Sequence, residues 1–186
     1  YAGVNCSSEE IKKSLIHAMK TTDVMGLISR RNSEFWAKIT AEVLKELSIM
    51  PSRICSAWVM HDIVNNELIF PWLKDKKVVL VGRRSHEAVT IFQKHNIEII
   101  DTIQLNGYNE LDDVHTHLES VKDWQVALIA AGIPATILAP RIARSTNKIA
   151  IDFGHALDMM IDRESYDHLG LVQQWNKHNE ESSDTN

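Results

Sequence analysis

The stretch KIAIDFGHALDMM, Lys148 to Met160, sets an aspartate, a glycine, a histidine and a second aspartate at the end of an apolar run. Asp152 and His155 are a carboxylate and an imidazole, side chains that hold or move a proton near neutral pH and that also bind sugar hydroxyls or a metal ion. A carboxylate ending a buried strand must be hydrogen-bonded, ion-paired or metal-bound to offset its desolvation. Asp158, three residues after His155, shares its face if a helix follows. The same residues admit a plainer reading. In it Asp152 caps the turn at Phe153-Gly154, His155 packs beside it, and Asp158 is an ordinary charge in a first helical turn.

Three further polar stretches follow apolar runs: Gly82-Arg83-Arg84-Ser85-His86, Asn106-Gly107-Tyr108 and Ala131-Gly132-Ile133-Pro134. The first lacks both GxGxxG and GxxxxGK[ST], so it is neither a dinucleotide fingerprint nor a P-loop. It does place Arg83, Arg84 and a capping serine at a predicted helix start, which suits a diphosphate, though either arginine could equally be a solvated loop charge. Gly132 and Pro134 fit a tight strand-to-helix turn, and equally a close approach by a ligand.

The elements that must position these residues are readable from the apolar pattern. KKVVLVGRRSHEAVTIFQKHNIEIIDTIQL predicts a strand at Val78–Val81, a helix at His86–His95 and a strand at Ile97–Ile103. Another helix leads to a strand at Val126–Ala130, and an apolar and basic helix to a strand at Ile149–Ile151. Continuous apolar strands alternating with helices imply a parallel sheet covered on both faces. In such a sheet ligands bind beyond the carboxyl ends of the strands, where helix amino ends point. The four polar stretches should therefore share one edge.

Upstream, Ser7 with Glu10 predicts a capped helix running to Lys20. Val24–Ile28 is a short apolar stretch, and a second helix opens at Ser33-Glu34 and runs to Leu47. Ile54–Leu68 suits a helix better than a strand. The expected organisation is one domain in three parts: residues 1–70, a helical part packing on the sheet; 71–161, the βα core; and 162–186, a helix and polar tail that includes Glu180, Glu181 and Asp184.

With 186 residues, 44% hydrophobic and 24% charged, the chain is expected to bury a substantial core. A formal charge of −5 gives no basic footprint for nucleic acid. Cys6 and Cys55 are the only cysteines; they form neither a disulfide framework nor a thiolate metal site, which fits a reducing, cytoplasmic setting. No apolar run reaches the roughly 18 residues needed to span a bilayer, and no secretory signal opens the sequence. The missing initial Met suggests a piece of a longer chain. Other polar groups rank lower: His115 and His117, two apart, do not share a helical face, and Trp58 beside His61 and Asp62 reads more readily as core than as a sugar platform.

On KVVLVGRR, VALIAAGIPA and above all IAIDFGHALD, the chain resembles the GT-D-fold glycosyltransferases, which include the former domain of unknown function 1792. The resemblance is clearest from Lys76 onward and extends over about Thr22 to Ile161. It implies a Rossmann-like, doubly wound, mostly parallel sheet flanked by helices, and an Asp-x-Gly-His element matched by Asp152, Gly154 and His155, with Asp158 as the acidic residue after it. It further implies transfer of a sugar from a nucleotide-sugar donor, typically UDP-linked, to a glycan or glycosylated acceptor. The resemblance also implies a divalent metal, manganese or magnesium, held by an amino-terminal Asp-x-Glu. Asp23 matches that aspartate, with Met25 in the glutamate position; alternatively Glu34-Phe35 matches the end of the motif, with Asn32 and Ser33 before it. Either placement leaves one carboxylate of the pair missing.

Three functions follow. In the first, a transferase, Asp23 is the residual metal or donor ligand and Asp152 and His155 lie at the reacting sugar. Gly82, Arg83, Arg84, Gly132, Pro134, Gly154 and Asp158 then line the substrate. The second is a binding module that keeps the nucleotide pocket without the metal pair. The third, a methyltransferase-like or NAD-dependent enzyme, is opposed by the missing glycine fingerprint. Oligomeric state has no signature in the sequence.

Overall fold

Strand Lys77–Gly82 (β3) is apolar on both faces, and Val78, Val79, Leu80 and Val81 are all fully buried. That pattern requires helices above and below, and the computed structural model, which describes residues 8–163 and Gly170, supplies them. The chain runs α1 (Glu9–Thr21), β1 (Met25–Leu27), α2 (Glu34–Glu46), β2 (Ile54–Ser56), α3 (Val59–Asn65) and α4 (Ile69–Leu73) before β3. After β3 come α5 (Ser85–Lys94), β4 (Glu98–Ile103), a 3-10 turn (Tyr108–Glu110), α6 (Leu111–Ser120), β5 (Val126–Ala130), α7 (Ile133–Thr146), β6 (Ile149–Asp152) and α8 (Ala156–Asp162). The predicted cap at Ser7, Cys6 and the acidic residues of the tail lie outside the described residues.

Strands β3 to β6 form one parallel sheet in the order β4-β3-β5-β6. The chain moves outward from β3 to β4 and returns past β3 to β5, so the strand order reverses between β3 and β5. Alternate residues of β3 face two cores. Val79 and Val81 join Ile11 of α1, Leu118 of α6, Trp124 and Ile142 of α7. Val78 and Leu80 join Leu73 of α4, Phe92 of α5, and Phe153 and Leu157 at the start of α8. Each fully buried Phe or Leu contributes roughly 1.5–3 kcal/mol relative to exposure. Trp124 also satisfies its indole N–H on the Leu118 carbonyl at 3.0 Å.

The amino-terminal part, expected to be helical, also contains two short strands. Met25–Leu27 and Ile54–Ser56 pair in parallel as a separate two-stranded sheet, extended by Met25 N–H to Arg53 O at 3.0 Å and Ala57 N–H to Leu27 O at 2.9 Å. The single helix expected across Ile54–Leu68 is therefore a strand followed by the short α3. Ile54 is 65% exposed and Leu68 58% exposed, so neither belongs to an inward helical stripe. Helix α3 itself spans only Val59–Asn65, with His61 buried.

Candidate functional site

All four strands of the main sheet are parallel, so the loops after β3, β4, β5 and β6 leave from the same edge, as the apolar pattern predicts. The reversal between β3 and β5 puts Gly82 and Gly132 at the crevice that such sheets offer to ligands. Gly82 has φ +145°, and a Cβ there would lie 2.3 Å from the Ala130 carbonyl oxygen. The two strand ends thus approach each other as closely as backbone permits. Gly132 (φ 60°) turns the chain into α7, a 14-residue helix with buried Pro134 in its first turn. Arg83 is exposed beside this crevice and makes no ion pair or side-chain hydrogen bond among the described residues.

Asp152 ends β6 on the same edge. It accepts a hydrogen bond from the Thr136 hydroxyl of α7 at 2.7 Å and another from the backbone N–H of Gly154. Its surface is open to water, yet crowding by surrounding protein raises its carboxyl to about 6, the bonds from Thr136 and Gly154 and the nearby His155 opposing that rise.

His155 sits one turn on, its Nδ1 3.2 Å from Asp158 Oδ2. That hydrogen bond raises the imidazole above its ordinary pKa, burial working against it and the charges of Asp158 and Asp152 adding to it. For Asp158, burial pushes upward, but bonds from His155 and Arg84 prevail and hold the carboxyl below its usual range. The other oxygen of Asp158 accepts from Arg84 at 3.1 Å. Arg84 also donates to Glu87 from Nε and Nη2, at 3.0 and 2.9 Å. Its remaining bonds go to Asp162, twice, at 2.8 Å. All five guanidinium N–H groups are thereby used on three carboxylates, and the side chain fastens α5 to α8.

The structure thus brings Asp152, Gly154, His155 and Asp158 together with Gly82, Arg83, Gly132 and Pro134 along one edge, and separates the two arginines by role. Arg83 is exposed; Arg84, expected on a diphosphate, is engaged with carboxylates of α5 and α8. Thr136, Glu87 and Asp162 were not singled out from sequence. Thr136 had a signal, since it lies one turn into the helix that Gly132 starts, whereas Glu87 and Asp162 look like surface charges until α5 and α8 meet. His117 pairs with Asp101 at 2.8 Å, while His115 faces Ser145 and Glu119, so the two histidines diverge.

Asp23 occupies the bend before β1, at the amino end of its strand, where its carbonyl oxygen accepts from Ser52 at 3.4 Å. Asn32, Ser33 and Glu34 instead follow the carboxyl end of β1. There the Ser29 hydroxyl donates to Asn32, and Ser33 caps α2 by accepting from Trp36 N–H at 3.4 Å. Hard divalent cations need several oxygen ligands, and among the described residues no group of three or more His, Cys, Asp and Glu side chains is arranged to hold one. Magnesium or manganese at such a site takes one or two carboxylates together with substrate phosphate oxygens, and each placement here supplies one carboxylate, Asp23 or Glu34.

Fold and edge together define a doubly wound α/β domain that presents a polar crevice where its strand order reverses. Comparison with known proteins gives this class a family. The profile of the GT-D fold-like domain matches residues 1–160. Two solved structures are similar. One, described as a selenomethionine-substituted domain of unknown function 1792, is 17% identical with a TM-score of 0.59, covering 86% of this chain and 69% of that one. The other, described as showing that the highly conserved domain of unknown function 1792 has a distinct glycosyltransferase fold, is 15% identical with a TM-score of 0.61 and the same coverages, 86% and 69%. No curated protein matches. The chain belongs to the GT-D fold-like domain family and shares the fold of those two structures. No helix among its described residues is long and apolar enough to cross a membrane.

Proposed function

We propose that the domain transfers a sugar from a nucleotide-sugar donor of UDP type to a hydroxyl of a glycan or glycosylated acceptor, with Asp152 as general base. The observation that carries this reading is Asp152 itself. It is a carboxyl raised to about 6, at the open end of β6, oriented by Thr136 beside the amino end of α7. A base with a pKa near 6 is ionised at neutral pH and still takes a proton readily.

In the transfer, Asp152 accepts the proton of the acceptor hydroxyl as its oxygen bonds to the anomeric carbon. The bond from that carbon to the diphosphate oxygen breaks, and the nucleoside diphosphate leaves with the electron pair. Arg83 and the amino end of α7 supply positive potential for the departing charge. His155, held by Asp158, hydrogen-bonds a sugar hydroxyl.

A second reading, a binding module that holds the nucleotide sugar without turning it over, is favoured by the sparse metal donors around Asp23 and Glu34. Calorimetric titration with UDP and UDP-sugars, with and without manganese, separates the two when paired with an assay for donor hydrolysis or transfer. Binding with turnover that Asp152→Asn abolishes supports the transferase. Binding indifferent to manganese, without turnover, supports the module; no binding of any nucleotide removes both.

A further inference from the structure

A cleft of about 800 Å3 opens between the amino-terminal half of α1, the Tyr108–Glu110 turn and α7. It is distinct in chemistry from the crevice at Gly82 and Gly132. Its floor is apolar, built from Ile11, Leu111 and Ile137, all nearly buried. Its rim alternates donors and acceptors. The Ser14 and Tyr108 hydroxyls lie 3.1 Å apart, and Tyr108 reaches Glu10 at 3.4 Å. Glu110 accepts from the backbone and side-chain amides of Asn106 at 2.7 and 3.2 Å. Asp112 is paired with Arg141 at 2.5 Å.

Three carboxylates against one guanidinium repel a phosphate, so the cleft is not a second nucleotide site. Nor does it suit a polyamine, because the carboxylates are already engaged by Arg141, Asn106 and Tyr108. A ligand that matches has an apolar face for the floor and hydroxyls that both donate and accept for the rim, with no net charge. That is the chemistry of a neutral sugar ring. The cleft also shares elements with the site already described. Asn106, Gly107 and Tyr108 follow β4 on the same sheet edge, and α7 contributes Ile137 to the floor next to Thr136, which holds Asp152.

We propose that this cleft binds an uncharged sugar and, resting on the transferase reading above, that it is the acceptor subsite. The test is amide-perturbation NMR on the intact chain, titrated separately with neutral methyl glycosides of glucose, galactose and N-acetylglucosamine, with UDP, and with spermine. At least one glycoside should shift the amides of Ser14 and Gly107–Leu111, while UDP shifts those around Gly82 and Gly132 instead. Tyr108→Ala should weaken the glycoside about tenfold through loss of the ring and its hydroxyl, with the remaining spectrum unchanged. Cleft amides that answer to no glycoside, or to UDP or spermine instead, overturn the proposal. If glycosides bind the cleft while UDP binds nowhere, the donor assignment fails and the sugar site stands.

Discussion

Two glycines of the candidate site provide a quantitative test of its geometry, because alanine at each meets a different obstacle. At Gly82 a new Cβ would sit 2.3 Å from the Ala130 carbonyl oxygen and 3.1 Å from its carbon, at φ +145°. Backbone cannot rotate away as a side chain does, so β3 and β5 must separate where four strands are hydrogen-bonded. Conformational strain of about 1–3 kcal/mol adds to an overpacking cost of about 1–3 kcal/mol, placing Gly82→Ala near 4 kcal/mol. At Gly154 (φ +50°) the nearest atom to a new Cβ is Asp152 Oδ1 at 3.9 Å, ordinary contact. Only the left-handed conformation is then penalised, at roughly 1–2 kcal/mol. Urea unfolding of both variants and the parent measures the difference, with m unchanged. In a chain of this size the same costs lower the thermal midpoint by about 2–4 °C per kcal/mol. Equal destabilisation by the two substitutions, or a benign Gly82→Ala, refutes the close approach of β3 and β5 at the crevice.

Titration of the His155 ring by NMR should show Asp158→Asn lowering its midpoint, since the hydrogen-bonding carboxylate is lost, and Arg84→Ala raising it, since Asp158 then serves the imidazole alone with Asp162 left uncompensated; shifts of the same sign contradict the arrangement. Asp152 titrates about two units higher folded than unfolded, so the unfolded chain releases this proton first and stability falls as pH rises from about 4 to about 6. Asp152→Asn should remove that decline, so its thermal midpoint gains on the parent by a few degrees between pH 4 and pH 7 while transfer is lost; parallel midpoints would be the contrary result. Thr136→Val should move the Asp152 carboxyl further above 6, because the hydroxyl stabilises the ionised form, seen as an upward shift in the acid limb of activity or in a carboxyl 13C titration.

The main sheet and its polar edge were legible because strands β3 and β5 are continuous apolar runs, a pattern that demands cover on both faces and leaves polar residues only at the ends. Asp152, Gly154 and His155 could be placed by that rule without knowing the strand order. Strands β1 and β2 were hidden, since three residues are too few to show a period and Ile54 is exposed rather than inward. The partners of Arg84 were hidden for a different reason. Its neighbours in sequence suggest a phosphate loop, but its partners Asp158 and Asp162 lie 74 and 78 residues away. Long-range pairing of charges leaves no periodic trace, and neither does the crowding that raises Asp152.

The clasp formed by Arg84 also bears on the order in which the molecule is made. Its two ends are joined across more than 70 residues of chain, a closure whose entropy cost precedes any contact that rewards it. The loop bearing Asp152 and His155 is anchored on one side by the β6 ladder and on the other by α8, which Arg84 secures. The edge becomes complete only when α8 docks. A ligand bound there therefore selects chains that have finished folding, and its stabilising effect should register in whole-domain unfolding rather than in local fraying of α8.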